Sequence, residues 1–387
     1  MTQAAKAAGP LAGITVVDLS RILAGPYCTL LMAEMGARVI KVEPPKGGDD
    51  ARAYGPFVNG KSTYFASVNR GKESIALDLK NDEHRKIFEK LLEKADVVVE
   101  NFRPGTMEKL GYGWETLHAR YPKLIYASAS GFGHTGPNSK DPAYDMVMQG
   151  QGGMMSITGN EGQPPSRVGM SIGDIGAGLY TAVAVNAALV HRLKTGESTK
   201  VDIAMFDCQL ALLENAIMRY TVEKEIPGPL GARHPTITPF EAFATADGSM
   251  IIAAGNDSLF IKMCEALSRP DMATDPAYAS NALRQKSQKK LKDEIESVLK
   301  TNTTDHWIAV VSKGGVPCGP INNIAQAIAH PQVAARNMLV DVPDGSGGML
   351  KLAGNPLKMS AFPDPTTRPA APDLDGDRDT ILSYLGG

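Results

Sequence analysis

Asp174 is the residue whose type and surroundings most directly suggest chemistry. It lies in the run Gly173-Asp174-Ile175-Gly176-Ala177-Gly178, at the entrance of an apolar helix predicted from Ile175 to Leu193. Glycine at this density costs conformational entropy and is tolerated where a backbone must approach another backbone or a ligand. A carboxylate, with a reference pKa of about 4, is ionised at neutral pH and attacks an activated acyl carbon without a separate base.

A helix cap is the competing interpretation of Asp174. An aspartate just before a helix commonly accepts backbone N–H bonds, which stabilise the helix by about 1 kcal/mol. The same bonds and the helix dipole would keep the carboxylate ionised. The two roles are compatible, so the spacing alone leaves both open.

The motifs of nucleotide-dependent and serine enzymes are incomplete. Gly131-Phe132-Gly133-His134-Thr135-Gly136 matches the dinucleotide pattern, but Pro137 and Pro142 follow where a helix should start. We interpret this run as a tight turn, which disfavours a nicotinamide oxidoreductase. The sequence contains neither a G-x-x-x-x-G-K-[ST] phosphate loop nor a G-x-S-x-G nucleophile elbow.

Composition excludes several other classes. The 387 residues carry 40 lysines and arginines against 42 aspartates and glutamates, which gives no global field for nucleic acid or an anionic membrane. Apolar residues make up 43%, without a run that we expect to span a bilayer. The four cysteines and seven histidines lack metal-ligand spacing. We predict a cytoplasmic protein with no metal, no membrane and no nucleic-acid partner.

Strand and helix signals alternate along the first half of the chain, which predicts an α/β fold with a parallel sheet. The loop 43–61 is long and carries aromatic residues, so we expect it to be functional. Turn-rich segments predict a first part at 1–226, a small domain at 227–320 and a return to the large domain with a C-terminal tail at 321–387. The predicted strands of the first half are 14–19, 39–42, 96–100 and 124–128, and its predicted helices are 25–36, 82–94, 175–193 and 205–223.

Several motifs in a fixed order resemble those of family III CoA-transferases, the CaiB/BaiF type, which include succinyl-CoA:dicarboxylate and formyl-CoA:oxalate transferases. The matching runs are Val17-Asp18-Leu19-Ser20-Arg21-Ile22-Leu23-Ala24-Gly25-Pro26, Gly36-Ala37-Arg38-Val39-Ile40-Lys41-Val42-Glu43, Val99-Glu100-Asn101-Phe102-Arg103-Pro104-Gly105, Gly131-Phe132-Gly133 with Gly136-Pro137, Gly173-Asp174, and Gly315-Val316-Pro317-Cys318-Gly319-Pro320. The resemblance extends nearly from end to end.

The resemblance implies a Rossmann-like large CoA-binding domain built from both termini, a smaller α+β domain, and an interlocked-ring homodimer. It implies a cofactor-free enzyme whose substrates are an acyl-CoA thioester and a free carboxylic acid. Asp174 would attack the thioester and pass through an aspartyl anhydride and an aspartyl-CoA thioester. Such an exchange of one thioester for another needs no ATP, in agreement with the missing phosphate loop.

The resemblance also implies site residues. The side chains matched to CoA binding are Arg21, Asn101, Phe102, Arg103, Lys109 and Tyr144. The residues matched to the substrate or to a covering loop are Leu23, Arg52, Tyr64, Arg70, Arg167, Gly255 and Asn256. Competing interpretations are core packing for Phe102, a solvated face for Lys109, a helix cap at Asn256, and surface ion pairs for the three arginines that we expect to read a distal carboxylate.

Two positions bear on the reaction and its substrate. Leu23 replaces the glutamine of oxalate-type members, which disfavours oxalate as the acceptor, and other segments look most like succinyl-CoA:dicarboxylate transferases. Tyr144 replaces the histidine of racemases in the family, and a tyrosine with a pKa of about 10 is poorly matched to proton abstraction. The alternatives are therefore an acyl-CoA racemase or epimerase, and a non-catalytic acyl-CoA-binding protein in which Asp174 is only a cap.

Overall fold

The computed structural model describes residues 9–386. Its strands within that range are β1 (Thr15–Asp18), β2 (Arg38–Glu43), β3 (Phe57–Val58), β4 (Lys61–Ser62), β5 (Glu73–Ala76), β6 (Val97–Glu100), β7 (Ile125–Ser130), β8 (Lys200–Ala204), β9 (Phe240–Ala244), β10 (Ser249–Ala253), β11 (Cys318–Pro320), β12 (Leu339–Pro343) and β13 (Met349–Ala353). Its α-helices are α1 (Ala24–Glu34), α2 (Thr63–Asn69), α3 (Asp82–Lys94), α4 (Thr106–Lys109), α5 (Trp114–Arg120), α6 (Asp145–Gln151), α7 (Ile172–Thr195), α8 (Met205–Leu212), α9 (Glu214–Met218), α10 (Asp257–Ala266), α11 (Pro270–Thr274), α12 (Asn281–Lys286), α13 (Gln288–Leu299), α14 (Thr304–Lys313), α15 (Ile324–Ala329), α16 (Pro331–Ala335) and α17 (Arg378–Tyr384).

A six-stranded parallel sheet confirms the α/β prediction. The strands lie in the order β5-β2-β1-β6-β7-β8, and every neighbouring pair is parallel. Counted along the sheet's own strands this is the order 3-2-1-4-5-6 of doubly wound nucleotide-binding folds. The two edge strands β5 and β8 are not among the strands predicted from the sequence. Charged residues such as Glu73 and Asp202 interrupt their apolar pattern.

Alternate strand residues fill two cores, one on each face of the sheet, because side chains along a strand point to opposite faces. Val16 and Val97 pack with helices α1 and α7 on one face. Val17 and Val98 pack with helices α3 and α5 on the other. The sheet is therefore covered by helices on both faces, which fixes its carboxyl edge as the open edge for a site.

Helix α7 is long and apolar enough to cross a membrane by length and composition, so the expectation that no run reaches that length is wrong for this helix. Half of its most apolar window is buried inside the chain. The buried side consists of small residues such as Ala182 and Val185, which pack in the core beside helix α1. A core helix meets the same length and composition test, and the glycine and alanine content of α7 matches that role.

The chain divides into two compact units. The first comprises the chain up to Met155, Arg167–Ile226, and the chain from Pro331 on. The second comprises Ser156–Ser166 and Pro227–His330. Strands β9, β10 and β11 form an antiparallel sheet in the second unit, and its core includes Phe243 and Met250. The sequence had predicted the return to the large domain at residue 321, whereas helix α15 stays with the second unit.

Candidate active site

Asp174 is the third residue of helix α7, not its cap. The helix begins at Ile172, and Ser171 in the capping position makes no side-chain hydrogen bond to it. Instead Asp145 Oδ1, at the start of helix α6, accepts the N–H of Gly173 at 2.8 Å. The prediction of an N-cap at Asp174 is therefore wrong, and the cap comes from a carboxylate 28 residues earlier in the chain.

Two glycines around Asp174 are required by close approach. A Cβ on Gly173 would lie 3.0 Å from both Asp145 Oδ1 and Gln209 Nε2. A Cβ on Gly178 would lie 2.7 Å from the carbonyl oxygen of Ala24. Gly178 therefore lets helix α7 approach the start of helix α1, and Gly173 lets its first turn approach Asp145 and Gln209.

Burial and, to a smaller extent, the charge of Asp145 together raise the pKa of Asp174 to about 7. Asp174 is half-buried, and within residues 9–386 no group hydrogen-bonds to its carboxylate. The expectation that hydrogen bonds hold this group well ionised is wrong. Burial disfavours the charged form of Asp174, and the N–H of Gly173 at the start of the helix donates to Asp145 rather than to Asp174.

Asp145 and Gln149 organise the surroundings of the nucleophile candidate. The fully buried amide of Gln149 donates to Asp145 Oδ2 at 2.8 Å and accepts the N–H of Val168 at 2.8 Å. Neither residue is among the site residues predicted from the sequence. Gln149 is the first residue of the glycine-rich run at 149–153, and this run was the sequence signal that could have pointed to it. The hydrogen bond with Val168, 19 positions away, depends on the fold and leaves no such signal.

Tyr64 of helix α2 lies close enough to Asp174 for the charge of Asp174 to act on its phenol, and its role toward the substrate remains a prediction. Burial raises the pKa of Tyr64 to about 12, with further contributions from the charge of Asp174 and from Tyr54. The rings of Tyr54 and Tyr64 meet edge to face, with centroids 5.8 Å apart. The loop at 43–61 therefore contributes Tyr54 to an aromatic wall with Tyr64, and the functional role of the loop remains a prediction.

The loops after β1 and β6 meet at the point where the strand order reverses, which is where α/β sheets bind ligands. Asn101 joins them, since its amide accepts the N–H of Arg21 and donates to the carbonyl of Arg21, both at 2.8 Å. The Arg21 guanidinium pairs with Asp50 at 2.6 Å. Both residues were predicted to bind CoA, and in this structure both side chains bind the protein.

The other residues predicted to bind CoA differ in their burial and in their contacts. Phe102 is partly buried and packs against the core on one face of the sheet. This agrees with core packing, the interpretation that competes with CoA binding. Arg103 and Lys109 are exposed, and their side chains make no hydrogen bond or ion pair with any residue of 9–386, so both charges are free for an anion. Tyr144 precedes helix α6 and is 69% exposed.

A buried ion network supports the β1 loop from below. Lys72, fully buried, contacts Asp18 Oδ2 at 3.0 Å. Lys41, also fully buried, contacts Asp49 Oδ2 at 2.9 Å. Asp49 accepts the N–H of Ile22 at 2.9 Å, where the backbone has a φ of 67°. This left-handed conformation is unfavourable for a β-branched residue, so the network holds the loop that presents the buried side chain of Leu23.

The three candidate arginines for a distal carboxylate are not equivalent. Arg52 forms a two-point pair with Glu43 and stacks over Phe65, with its guanidinium carbon 3.8 Å from the ring centre. Arg70 is buried against Glu34 at 2.8 Å. Arg167 is exposed, and its guanidinium donates only to the nearby carbonyls of Val168 and Gly169 among residues 9–386. Arg52 and Arg70 are already paired with carboxylates, so Arg167 is the remaining candidate of the three to bind a distal carboxylate.

Gly255 and Asn256 lie in the second unit, between strand β10 and helix α10, and both are exposed. The Asn256 side chain accepts the N–H of Leu259 at 2.9 Å. This hydrogen bond is the helix cap that was the competing interpretation of Asn256. A Cβ placed on the neighbouring Gly255 would meet no atom within 4 Å.

The described part of the chain contains no group of three or more His, Cys, Asp or Glu side chains that could hold a metal ion. The predictions of a metal-free, cofactor-free and cytoplasmic enzyme remain predictions.

Comparisons with known proteins agree along the whole chain. Residues 11–378 match the family described as CoA-transferase family III. An acetyl-CoA:oxalate CoA-transferase from Acetobacter aceti is 44% identical over 97% of this chain and 95% of its own length. A succinate–glutarate CoA-transferase from Agrobacterium fabrum is 41% identical over 97% of this chain and 96% of its own. A crystal structure of a CAIB/BAIF family protein from Brucella suis aligns with a TM-score of 0.85 at 38% identity, over 98% of this chain and all of that one.

Proposed function

The chain belongs to CoA-transferase family III, and from that premise we propose that it moves CoA from a dicarboxylyl-CoA, such as succinyl-CoA, to a free dicarboxylate through Asp174. The observation that carries the proposal is the Asp174 carboxylate itself. It is half-buried, unpaired within residues 9–386 and located beside an aromatic wall at the start of a long helix.

The proposed reaction balances without a cofactor. The Asp174 carboxylate attacks the donor thioester carbon, the C–S bond breaks, and a mixed anhydride and the CoA thiolate form. The thiolate then attacks the Asp174 carbonyl, which releases the donor acid and leaves an aspartyl-CoA thioester. An acceptor carboxylate attacks that thioester, and the returning thiolate takes the new acyl group and frees Asp174.

We propose that the CoA moiety lies at the crevice between β1 and β6. Arg103 and Lys109 are free cations there, and Lys or Arg side chains suit the phosphates of CoA. Arg21 and Asn101 then contribute by joining the loops after β1 and β6, rather than by direct contact with CoA. Phosphates placed at this edge direct the thioester end of CoA along the sheet toward the Asp174 helix.

An exchange assay tests the proposed function. Isotope-labelled free succinate mixed with unlabelled succinyl-CoA gains the thioester only if the protein transfers CoA. Binding of CoA without exchange for any dicarboxylate, oxalate included, would favour the acyl-CoA-binding alternative. Solvent deuterium at the α-carbon of a branched acyl-CoA would favour the racemase alternative instead. Oxalate belongs in the screen because Leu23 disfavours it whereas the Acetobacter aceti relative is named for it.

The exchange rate is expected to rise with pH up to a plateau above about 7, since that is the value to which burial and Asp145 raise the pKa of Asp174. Only the ionised carboxylate attacks, so kcat/KM should fall about tenfold for each pH unit below the midpoint. Replacing Asp145 by Asn removes the neighbouring charge and should move the midpoint to lower pH. A wild-type rate that is flat from pH 5 to 8 would contradict this assignment.

Arg167 is proposed to read the distal carboxylate of the substrate. Arg167→Gln should lower kcat/KM for succinyl-CoA about tenfold, the equivalent of about 1.4 kcal/mol for one charged hydrogen bond. Acetyl-CoA, which lacks the distal group, should be affected little, and Arg167→Lys should recover part of the loss. The matched control is Arg336→Gln, at another exposed arginine. Equal losses for both thioesters would remove Arg167 from this role.

We also propose that a second copy of the chain covers the exposed face of helix α7. Val183, Val190 and Leu193 are 66%, 50% and 78% exposed, and their spacing places them on one side of the helix. Apolar residues after helix α9, such as Val222 and Ile226, are also exposed. An apolar surface of this extent is typical of an interface. The resemblance to interlocked dimers indicates that a second copy of the chain covers this surface. Light scattering measures the mass of the assembly directly.

A further inference from the structure

Gln149 of helix α6 is a fully buried polar residue whose hydrogen bonds all serve the site. Its Nε2 donates to Asp145 Oδ2 at 2.8 Å and to the carbonyl of Met170 at 3.4 Å. Its Oε1 accepts the N–H of Val168 at 2.8 Å. A buried amide left unpaired is destabilising, because its groups lose their hydrogen bonds to water without replacement. Gln149 is therefore kept in one orientation by partners on two separate parts of the chain.

The first of those parts is Asp145, the cap of the nucleophile helix. One carboxylate oxygen accepts from Gln149 and the other accepts from Gly173, the residue directly before Asp174. Because the two oxygens belong to one rigid carboxylate, turning it to suit Gln149 also sets where the first turn of helix α7 begins. Asp145 is at the same time the charged group that acts on Asp174.

The second part is the segment 167–171, which leads into helix α7. Gln149 holds this segment at two points, the N–H of Val168 and the carbonyl of Met170. Arg167 begins the segment, and Asp174 follows three residues after its end. The segment is therefore tied to Gln149 by these two hydrogen bonds and to Asp174 through the chain itself.

The other titratable groups around Asp174 come from each packed element. Helix α2 provides Tyr64, helix α1 provides Tyr27 against Gly178, and helix α8 provides Cys208 against Gly176. Burial raises the pKa of Cys208 to about 12 and that of Tyr64 to about 12, so both stay neutral near pH 7. Arg167 is exposed on the leading segment. Asp145 is therefore the neighbouring charge through which a change at Gln149 would be felt.

We propose that Gln149 is a positioning residue for the transfer reaction, which holds the 167–171 segment and the Asp145 carboxylate in one arrangement around Asp174. The inference rests on the proposed function, since it assigns a role toward the same nucleophile. Gln149 does not touch the substrate. It acts by fixing the cap of helix α7 and the charge beside Asp174.

Two substitutions separate positioning from packing. Gln149→Met keeps the volume and removes both hydrogen-bonding groups, so kcat should fall about tenfold or more. Gln149→Glu keeps the shape, and its protonated form can still donate to Asp145 and accept from Val168. It should recover part of that loss on the acidic side. Its ionisation adds a second carboxylate charge against Asp145, which should move the midpoint of the pH–rate profile upward by about half a unit or more.

The matched controls are Gln151→Met and Gln151→Glu, at the exposed end of the same helix. Both should keep the wild-type rate and midpoint, because water and salt screen a charge placed there. If Gln149→Met does not fold, the Glu variant still carries the test. Wild-type midpoints in both Gln149 variants, or equal losses without recovery by Glu, would overturn the inference. Failure of wild-type exchange would instead overturn the proposed function, so the two failures are distinct.

Discussion

Asp174→Asn is expected to lose CoA-transferase activity by about 10⁴-fold or more. The amide has nearly the shape of the carboxylate, but it is neutral and forms no anhydride with the donor acyl group, so the covalent route closes. Loss of a covalent nucleophile in other enzymes has effects of this size or larger. The rate of label exchange between succinate and succinyl-CoA measures the effect.

The fold should not suffer from the same change. Burial and Asp145 raise the pKa of Asp174 to about 7, so the folded state binds more protons than the unfolded state between the usual aspartate pKa and that value. Ionised Asp174 therefore opposes folding as the pH rises through this range. Asp174→Asn should be at least as stable as the wild type at pH 8. The matched control is Asp207→Asn, at an exposed aspartate of helix α8, which should keep full activity. Residual exchange above about a hundredth of the wild-type rate would contradict the assignment.

Lys72→Met should be the most destabilising single change in the network below the β1 loop. The ammonium group contacts Asp18, Thr29 and Asn69, and both ions of the Lys72–Asp18 pair are fully buried. Burial lowers the pKa of Lys72 to about 8, which leaves it charged near pH 7. Burial alone would raise the pKa of Asp18, but Lys72, Lys41 and two hydroxyls hold it below its usual range. Removal of one partner leaves a buried carboxylate without its cation, which costs about 3–5 kcal/mol.

The two tryptophans allow the loss of stability to be measured in the first compact unit, which contains Lys72. Trp114 lies in the first unit and Trp307 in the second, so a Trp307→Phe background reports the parallel sheet by fluorescence during urea unfolding. Lys86→Met, which breaks the exposed pair with Glu83, is the control and should leave the free energy of unfolding nearly unchanged. Adding Asp18→Asn to Lys72→Met should recover part of the loss. Equal costs for Lys72→Met and the control would contradict the buried-pair account.

Local sequence signals were sufficient for much of the fold. Apolar runs and helix periodicity located β1, β2, β6 and β7, and helix α3 has the predicted bounds of 82 and 94. The edge strands β5 and β8 were missed because charged residues are tolerated at a sheet edge and weaken the apolar pattern. The start of helix α7 was placed three residues late for a different reason, since the cap that begins it comes from Asp145 in another helix.

The chemistry of the site was less accessible from the sequence. The glycines and the family resemblance identified Asp174, but its raised pKa depends on burial and on Asp145, which only the fold brings together. Arg52 and Arg70 looked equal to Arg167 until the structure paired them with Glu43 and Glu34. Partners as far as 36 residues apart leave no local trace in a single sequence.

Trapping of the acyl-enzyme tests the central claim most directly. Trypsin cleaves after Arg167 and after Arg192, and the peptide from Val168 to Arg192 contains Asp174 as its only carboxylate side chain. The account predicts that protein incubated with succinyl-CoA and then treated with hydroxylamine or borohydride carries a modification on this peptide. The modification should be absent from Asp174→Asn and from the neighbouring peptide that contains Asp145. An unmodified 168–192 peptide in protein that catalyses exchange would contradict Asp174 as the covalent nucleophile.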